Sequence, residues 1–191
     1  MVLSAVKILE LNEKHHLIEN LSERELNNPE GVGIDLRVGE VYEMEGDGFL
    51  GVTDRKMPNI KKIASITDGD KEVTMKPGDY LLVKTIEKFN IPAEKVEIGD
   101  GIKRYLTPII NPRSTLQRCG IGLFKTKTDP GYSGELIFGI ANLGKQNFKF
   151  ELGARMFNVL IQEVTGEIKR SYSGQNQGGR VTSDGRQEVQ N

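Results

Sequence analysis

Two polar clusters in the chain hold residue types that could together handle a phosphate ester. The first is Asn111-Pro112-Arg113-Ser114-Thr115-Leu116-Gln117-Arg118; the second is Thr128-Asp129-Pro130-Gly131-Tyr132-Ser133-Gly134-Glu135, with Asp129 sixteen residues after Arg113. Arg113, Ser114 and Arg118 could offer a guanidinium, a hydroxyl and backbone donors to phosphate oxygens, contacts that strengthen when charge-assisted. Asp129 opens a turn, and a carboxylate held there opposite a phosphate-binding segment is suited to take a proton from water as it attacks phosphorus. Tyr132 offers a flat face to a sugar or base. The same residues also compose an Asp-Pro-Gly hairpin turn with structural Arg and Ser beside it, and spacing alone leaves both readings open.

Other chemistries are excluded or weak. Lys plus Arg number 26 against 27 Asp plus Glu, a formal net charge of -1, so no global field attracts nucleic acid or an anionic membrane. No apolar run approaches the roughly 18 residues of a membrane span, and the amphipathic start lacks a signal-peptide core, which predicts a cytoplasmic protein. Cys119 is the only cysteine, so an internal disulfide or thiolate zinc site is impossible, and the zinc nucleoside deaminase route is closed. No P-loop is present, and Gly120-Ile121-Gly122 lacks the third glycine of a dinucleotide fingerprint. His15 and His16 have no visible partner and read as solvated loop histidines, and Cys119 as a small buried hydrophobe.

The elements that must position these residues are mostly strands. The 191 residues suffice for one ordinary core, and 22 glycines fall between short apolar stretches, a spacing that favours many strands joined by turns. Ser4 predicts a first helix, with Val6, Ile8 and Leu9 on its apolar side; Ser22 with Glu25 predicts a second, short one with a capping box. Ile34, Leu36 and Val38 alternate with Asp35 and Arg37 as a strand whose acid points away from the apolar row. Further strands are expected from Tyr80, around Phe148 and Phe150, and from Met156 to Val164. Residues 45–72 show no readable pattern. From Gly166 to the end, five glycines, four glutamines and one aromatic, Tyr172, make a segment with too few apolar groups to carry a core. The chain therefore divides into a β domain over 1–165 and a flexible arm over 166–191.

At this point the chain resembles a known family, the homotrimeric dUTPase and dCTP deaminase superfamily, over most of its length. Met1-Val2-Leu3-Ser4 and Gly33-Ile34-Asp35-Leu36-Arg37-Val38-Gly39 look like its N-terminal helix and first motif. Lys76-Pro77-Gly78, Thr85-Ile86-Glu87 and Ile91-Pro92 resemble the strand pair before the second motif, which Asn111 to Arg118 resembles. Asp129 to Gly134 is similar to the third motif, Gly153 to Leu160 to the fourth, and Tyr172 to Ser183 to the deaminase-type tail. Five such segments in the family's order are a specific signal.

The resemblance implies a mainly β, distorted jelly-roll subunit with one or two short N-terminal helices, a homotrimer with sites at subunit boundaries, and an arm closing over the nucleotide. It implies that Asp129 holds the attacking water and the deoxyribose 3'-hydroxyl, that Ser114 contacts phosphates, and that Tyr132 packs against the sugar. Arg113, Thr115, Arg118, Asn158, Tyr172, Gln175, Gln177 and Arg180 join the expected substrate contacts. Mg2+ is expected as cofactor, carried by the substrate phosphates near Asp35 with no direct protein ligand. Neither nucleic acid nor a membrane is an expected partner.

The family's two activities differ at one position. The deaminases carry a proton-moving Glu where alignment places Gly139, and glycine cannot shuttle a proton. The stretch from Arg118 to Asp129 is also shorter than in the deaminases, and their Thr-Ala pair is missing. The expectation is therefore hydrolysis of dUTP to dUMP and pyrophosphate, with a dCTP deaminase or bifunctional enzyme as the alternative and a non-catalytic nucleotide-binding regulator as a third reading. Departures from the hydrolase pattern are Asn158 where a Gln is usual, Ala154 where an acid is common, and the absence of any Phe after Phe157 to stack on the base.

Overall fold

Two serines set the N-terminal helices as their positions predict. The Ser4 hydroxyl accepts the Lys7 amide (3.2 Å) and opens α1 (Ala5–His15), and the Ser22 hydroxyl accepts the Glu25 amide (3.4 Å) and opens α2 (Glu23–Asn27). Each satisfies a donor that a helix start leaves unpaired. The Glu25 carboxylate turns inward to the Asp35 amide (3.1 Å) and the Arg24 guanidinium (2.6 Å), which a reciprocal capping box would not do. The histidine pair belongs to a helix end: His15 closes α1, and His16 caps it in the left-handed conformation at φ 51°. The computed structural model describes residues 1–99 and 101–190.

The remaining elements are short, mainly antiparallel strands, as the glycine spacing requires. In chain order they are β1 (Ile18–Glu19), β2 (Ile34–Glu45), β3 (Phe49–Leu50), β4 (Asp54–Lys56), β5 (Asn59–Ser65), β6 (Glu72–Met75), β7 (Tyr80–Asn90), β8 (Val96–Glu97) and β9 (Lys103–Pro112). A one-turn helix α3 (Ser114–Arg118) precedes β10 (Ile121–Phe124), β11 (Ser133–Asn142), β12 (Phe148–Glu151), β13 (Arg155–Val164) and β14 (Gln187–Val189). The main sheet runs β10-β11-β7-β2-β13-β9-β8, with β5 also on β2, β1 on β7, and every pairing antiparallel.

Strand β2 bends this sheet into a curl. Its first residues, Ile34 to Arg37, pair with β13, and its later ones, Val38 to Tyr42, pair with β7, with register shifts between Val38 and Glu40 and between Val41 and Tyr42. Such bulges kink a strand and raise its twist, so one strand serves two packed layers. The core lies between them: Phe138 of β11 meets Phe157 of β13 with ring centres 4.6 Å apart, above fully buried Ile34, Leu36, Ile140 and Ile161.

The segment 45–72 holds the hairpin β3–β4 and strand β5, and the end of the chain pairs with it. β14 runs antiparallel to β4 with Glu188 opposite Arg55, in a small sheet of order β14-β4-β3. Among the described residues no helix is long and apolar enough to cross a membrane.

Candidate functional site

The turn that carries Asp129 is fixed on both sides. Within it the Tyr132 amide donates to the Asp129 carbonyl (3.2 Å), and Gly131 at φ +93° supplies the third-position conformation that a Pro-Gly turn needs. The Gly131 amide donates to the Ile91 carbonyl (2.9 Å), the Ile91 amide to the Tyr132 carbonyl (2.8 Å), and the Thr107 hydroxyl of β9 to the Thr128 carbonyl (2.6 Å). The Asp129 carboxylate stands on this frame 38% exposed, with one oxygen 2.8 Å from the ammonium of Lys127, itself 78% exposed.

Beside it is a cavity of about 440 Å³ lined by residues of the hairpin, the tail and the segment after β4. The hairpin gives Thr126 to Asp129, Tyr132 and Leu136 to Phe138; the tail gives Tyr172, Asn176, Arg180 and Val181; Met57 completes the wall. Asp129 is the one carboxylate among these lining residues. The pairing of β10 with β11 ends at Gly139, so from Gly134 to Phe138 β11 keeps β7 on one side alone, and the cavity runs along this stretch. Tyr132 walls it: the ring is buried, its hydroxyl donates to the Glu135 carbonyl (2.6 Å), and burial pushes that phenol up to about 12.

The tail is laid against the hairpin by close backbone contact. The Tyr172 amide donates to the Pro130 carbonyl (2.8 Å), and Gln177 bridges the turn, accepting from the Ser133 amide and donating to the Gly131 carbonyl, both at 2.8 Å. A side chain at Gly134, where φ is +142°, would put its first carbon 2.2 Å from the Gly179 nitrogen. Glycine there is what lets two backbones touch. The Tyr172 ring sits edge-on to Tyr132 with centres 5.6 Å apart. A second concave space joins the first at Asp129 and Tyr172 and is lined also by Arg170, Ser171, Ser173 and Gly174.

The remaining expected contacts divide into two groups. Arg113 and Asn158 are engaged by Asp35: one oxygen of this buried acid pairs with the guanidiniums of Arg113 and Arg155 (the latter at 3.0 Å), and the other accepts the Asn158 amide at 3.0 Å. Ser114, Thr115 and Arg118 lie exposed on α3, outside the cavity lining. Because Thr107 touches Thr128 and α3 begins seven residues later along extended β9, these side chains stand on the order of 20 Å from Asp129 of the same chain. In the tail, Gln175 accepts from Arg55 (2.5 Å), while Arg180 donates to the carbonyls of Thr182 (2.9 Å) and Gln175 (3.3 Å) and pairs with Glu188.

Gly139 does not open free space in the site. A first side-chain carbon there would lie 1.9 Å from the Tyr80 hydroxyl and 3.2 Å from Phe124, whose ring tilts against Tyr80 at 5.6 Å. A phenol from the neighbouring strand β7 thus fills the place of a residue-139 side chain.

The order of these elements, from the Asp35 strand through the exposed α3 and the Asp129 hairpin to β13, matches the dCTP deaminase-like family model across residues 2–164. The chain belongs to this dCTP deaminase-like family. Among relatives of the family, it is 28% identical to the deoxyuridine 5'-triphosphate nucleotidohydrolase of Methanocaldococcus jannaschii, over 87% of this chain and 99% of that one. It is 33% identical to a probable deoxyuridine 5'-triphosphate nucleotidohydrolase of Aeropyrum pernix, over 76% and 82% of the two chains. It is 24% identical to a dUMP-forming dCTP deaminase of Dictyoglomus turgidum, over 90% and 85%. The dCTP deaminase of Agrobacterium tumefaciens shares the fold with a TM-score of 0.60 at 15% identity, over 84% of this chain and 47% of that one. Relatives therefore carry both activity names, and the mainly β fold of the sequence expectation stands.

Sequence reasoning missed three residues that line the candidate site and the tyrosine that fills the place at Gly139. Lys127 had a signal, a cation two residues before the acid, and Arg170 a weaker one, a cation beside Tyr172. Met57 and Tyr80 had none, because each reaches the site through strand pairings far apart in sequence.

Proposed function

We propose that the protein hydrolyses dUTP to dUMP and pyrophosphate, with Asp129 as general base. The observation that carries this reading is the single carboxylate on the rim of a cavity bounded by the unpaired stretch of β11. Backbone groups along that stretch would read the edge of a uracil, since a site built to match one base leaves polar groups unpaired with another. The buried Tyr132 ring would pack on the deoxyribose. Asp129 would then take a proton from a water as its oxygen bonds to the α-phosphorus; the bond from that phosphorus to the bridging oxygen breaks, and pyrophosphate leaves with the electron pair. Lys127 and Arg170, both cations at the rim, would receive phosphate charge.

Hydrolysis is favoured over deamination because the lining offers no second acid and Tyr80 fills the place at Gly139. Among the described residues no three His, Cys, Asp or Glu side chains gather as a metal cage, and the Asp35 oxygens already hold Arg113, Arg155 and Asn158. The chain's own residues thus do not fit a resident metal, and Mg2+ in this reading belongs to the nucleotide as its counter-ion. The distance between α3 and Asp129 supports a site shared between copies, with Ser114, Thr115 and Arg118 of one chain serving the cavity of the next in a trimer.

The test is release of pyrophosphate from dUTP, run beside ammonia release from dCTP. Pyrophosphate without ammonia is expected; ammonia from dCTP would overturn the assignment in favour of the deaminase, and nucleotide binding with neither product would favour a regulator. Sharing is tested by co-refolding two inactive variants, Asp129→Asn and Ser114→Ala. Random trimers place both intact residues at about a quarter of shared sites, so about a quarter of the activity should return, and none should if each site lies within one chain.

A further inference from the structure

The segment after β4 contributes Met57 to the cavity wall, and the tail holds it there. The Met57 amide donates to the Ser183 hydroxyl (3.1 Å), and the Met57 carbonyl accepts from the Gly185 amide (3.2 Å). On one side of Met57, β4 pairs with β14; on the other, the Ile60 amide donates to the Asp184 carboxylate (3.2 Å) and the Thr182 hydroxyl to the Pro58 carbonyl (3.3 Å). Ser183 is fully buried in this seam. Two chain segments more than a hundred residues apart in sequence are thus joined along their length, and Met57, at the middle of the seam, lines the cavity together with Phe138 and Val181.

The aromatic rings of the lining are engaged elsewhere, with Phe138 buried against Phe157. Tyr172 packs edge-on against Tyr132, and its hydroxyl accepts the Asn176 amide (3.2 Å), so its ring is a side wall. Arg180 is turned to Glu188 and two carbonyls of the tail. No phenylalanine follows Phe157. Met57 is an unbranched, polarizable side chain of the kind that adapts to an aromatic face.

We infer that Met57, presented by the seam between residues 53–60 and 182–190, is a substrate-contacting residue that covers the nucleobase and takes the place of a stacking aromatic. This rests on the cavity being the nucleotide site. It also assigns a role within the segment whose sequence showed no pattern: Met57 lines the cavity, and residues 53–60 dock the tail.

The test uses the full chain with Asp129→Asn, so that dUTP is bound without turnover, and measures its dissociation constant by titration calorimetry. Adding Met57→Ala should weaken dUTP about tenfold, and Met57→Leu, which restores the apolar volume, should recover most of that loss. The thermal midpoint of each variant controls for folding. Equal dUTP affinity in the Met57→Ala and parent proteins overturns the inference, as does failure of the parent to bind dUTP at all. Pyrophosphate release by the unmutated chain is assayed separately: its absence while dUTP binding still depends on Met57 would sink the hydrolase reading and leave the contact standing.

Discussion

Asp129 and Asp35 sit in the same fold with opposite amounts of spare capacity. Asp35, its side chain 11% exposed, spends both oxygens on protein: the guanidiniums of Arg113 at the start of α3 and Arg155 of β13, and the amide of Asn158, with its own backbone amide held by Glu25 of α2. Asp129, 38% exposed, has one exposed lysine and a cavity. A saturated buried acid can only hold its neighbours together, since removing one partner leaves uncompensated charge. An acid with an unused oxygen beside a cavity can accept a proton. Of these two aspartates, one is a joint between strands β2 and β13 and the helices α2 and α3, and the other is the reagent of the proposed function.

The largest expected effects break that comparison if they are reversed. Asp129→Asn should lower dUTP turnover by about 10²- to 10⁴-fold, the range for a general base, while leaving the urea unfolding midpoint unchanged. Asp35→Ala leaves Arg113 without its acid and Arg155 with Glu25 alone at 3.7 Å, and because both arginines keep some contact with water it should cost about 1–3 kcal/mol of stability in the same urea titration. A stable Asp35→Ala protein, or an Asp129→Asn protein that unfolds early, would show that the roles are exchanged.

Much of this was legible from the sequence, and the failures follow one rule. Ser4, Ser22 and the alternation of Ile34, Leu36 and Val38 are local signals, and the helices and strand they forecast are present. Asp35 did point away from the apolar row, but the opposite face is covered by α2 and β13, so alternation alone could not distinguish solvent from a buried ionic joint. Residues 45–72 were unreadable because β3 and β4 are two or three residues long, β4 gains a partner only from the end of the chain, and β5 carries mostly polar residues on β2. The same holds within the site: Asp129 and Tyr132 share a turn and were found together, whereas Met57 is brought to the cavity by contacts with the end of the chain that no local pattern encodes.

A smaller effect tests how the tail is held near Asp129. Gly134→Ala adds one carbon where the Gly179 nitrogen lies 2.2 Å away, at a φ of +142° that disfavours any side chain. Of two contacting backbones the tail has fewer buried groups behind it, so it should lift. Trypsin should then cut after Arg180 and Arg186 several times faster, with a loss of about 1–3 kcal/mol in overall stability. Unaltered cleavage kinetics would mean that the tail does not depend on this approach.

The smallest prediction asks whether paired burial always favours an acid here. Glu87 is fully buried on β7, and its carboxylate accepts the backbone amide of Arg37 (2.8 Å) and the guanidinium Nε (2.7 Å). Asp35 draws on two guanidiniums, Glu87 on one, and for Glu87 burial outweighs the partner, raising its pKa above the ordinary 4.5. A carboxyl with a raised folded-state pKa binds its proton more tightly in the folded chain than in the unfolded one. Its effect is therefore a loss of stability as pH rises from about 4.5 through the folded value, complete above it. Urea midpoints of the unmutated chain and Glu87→Gln, measured from pH 4.5 to 7, should show the unmutated chain losing ground to the variant as pH increases. If it gains ground instead, the single arginine outweighs desolvation at Glu87.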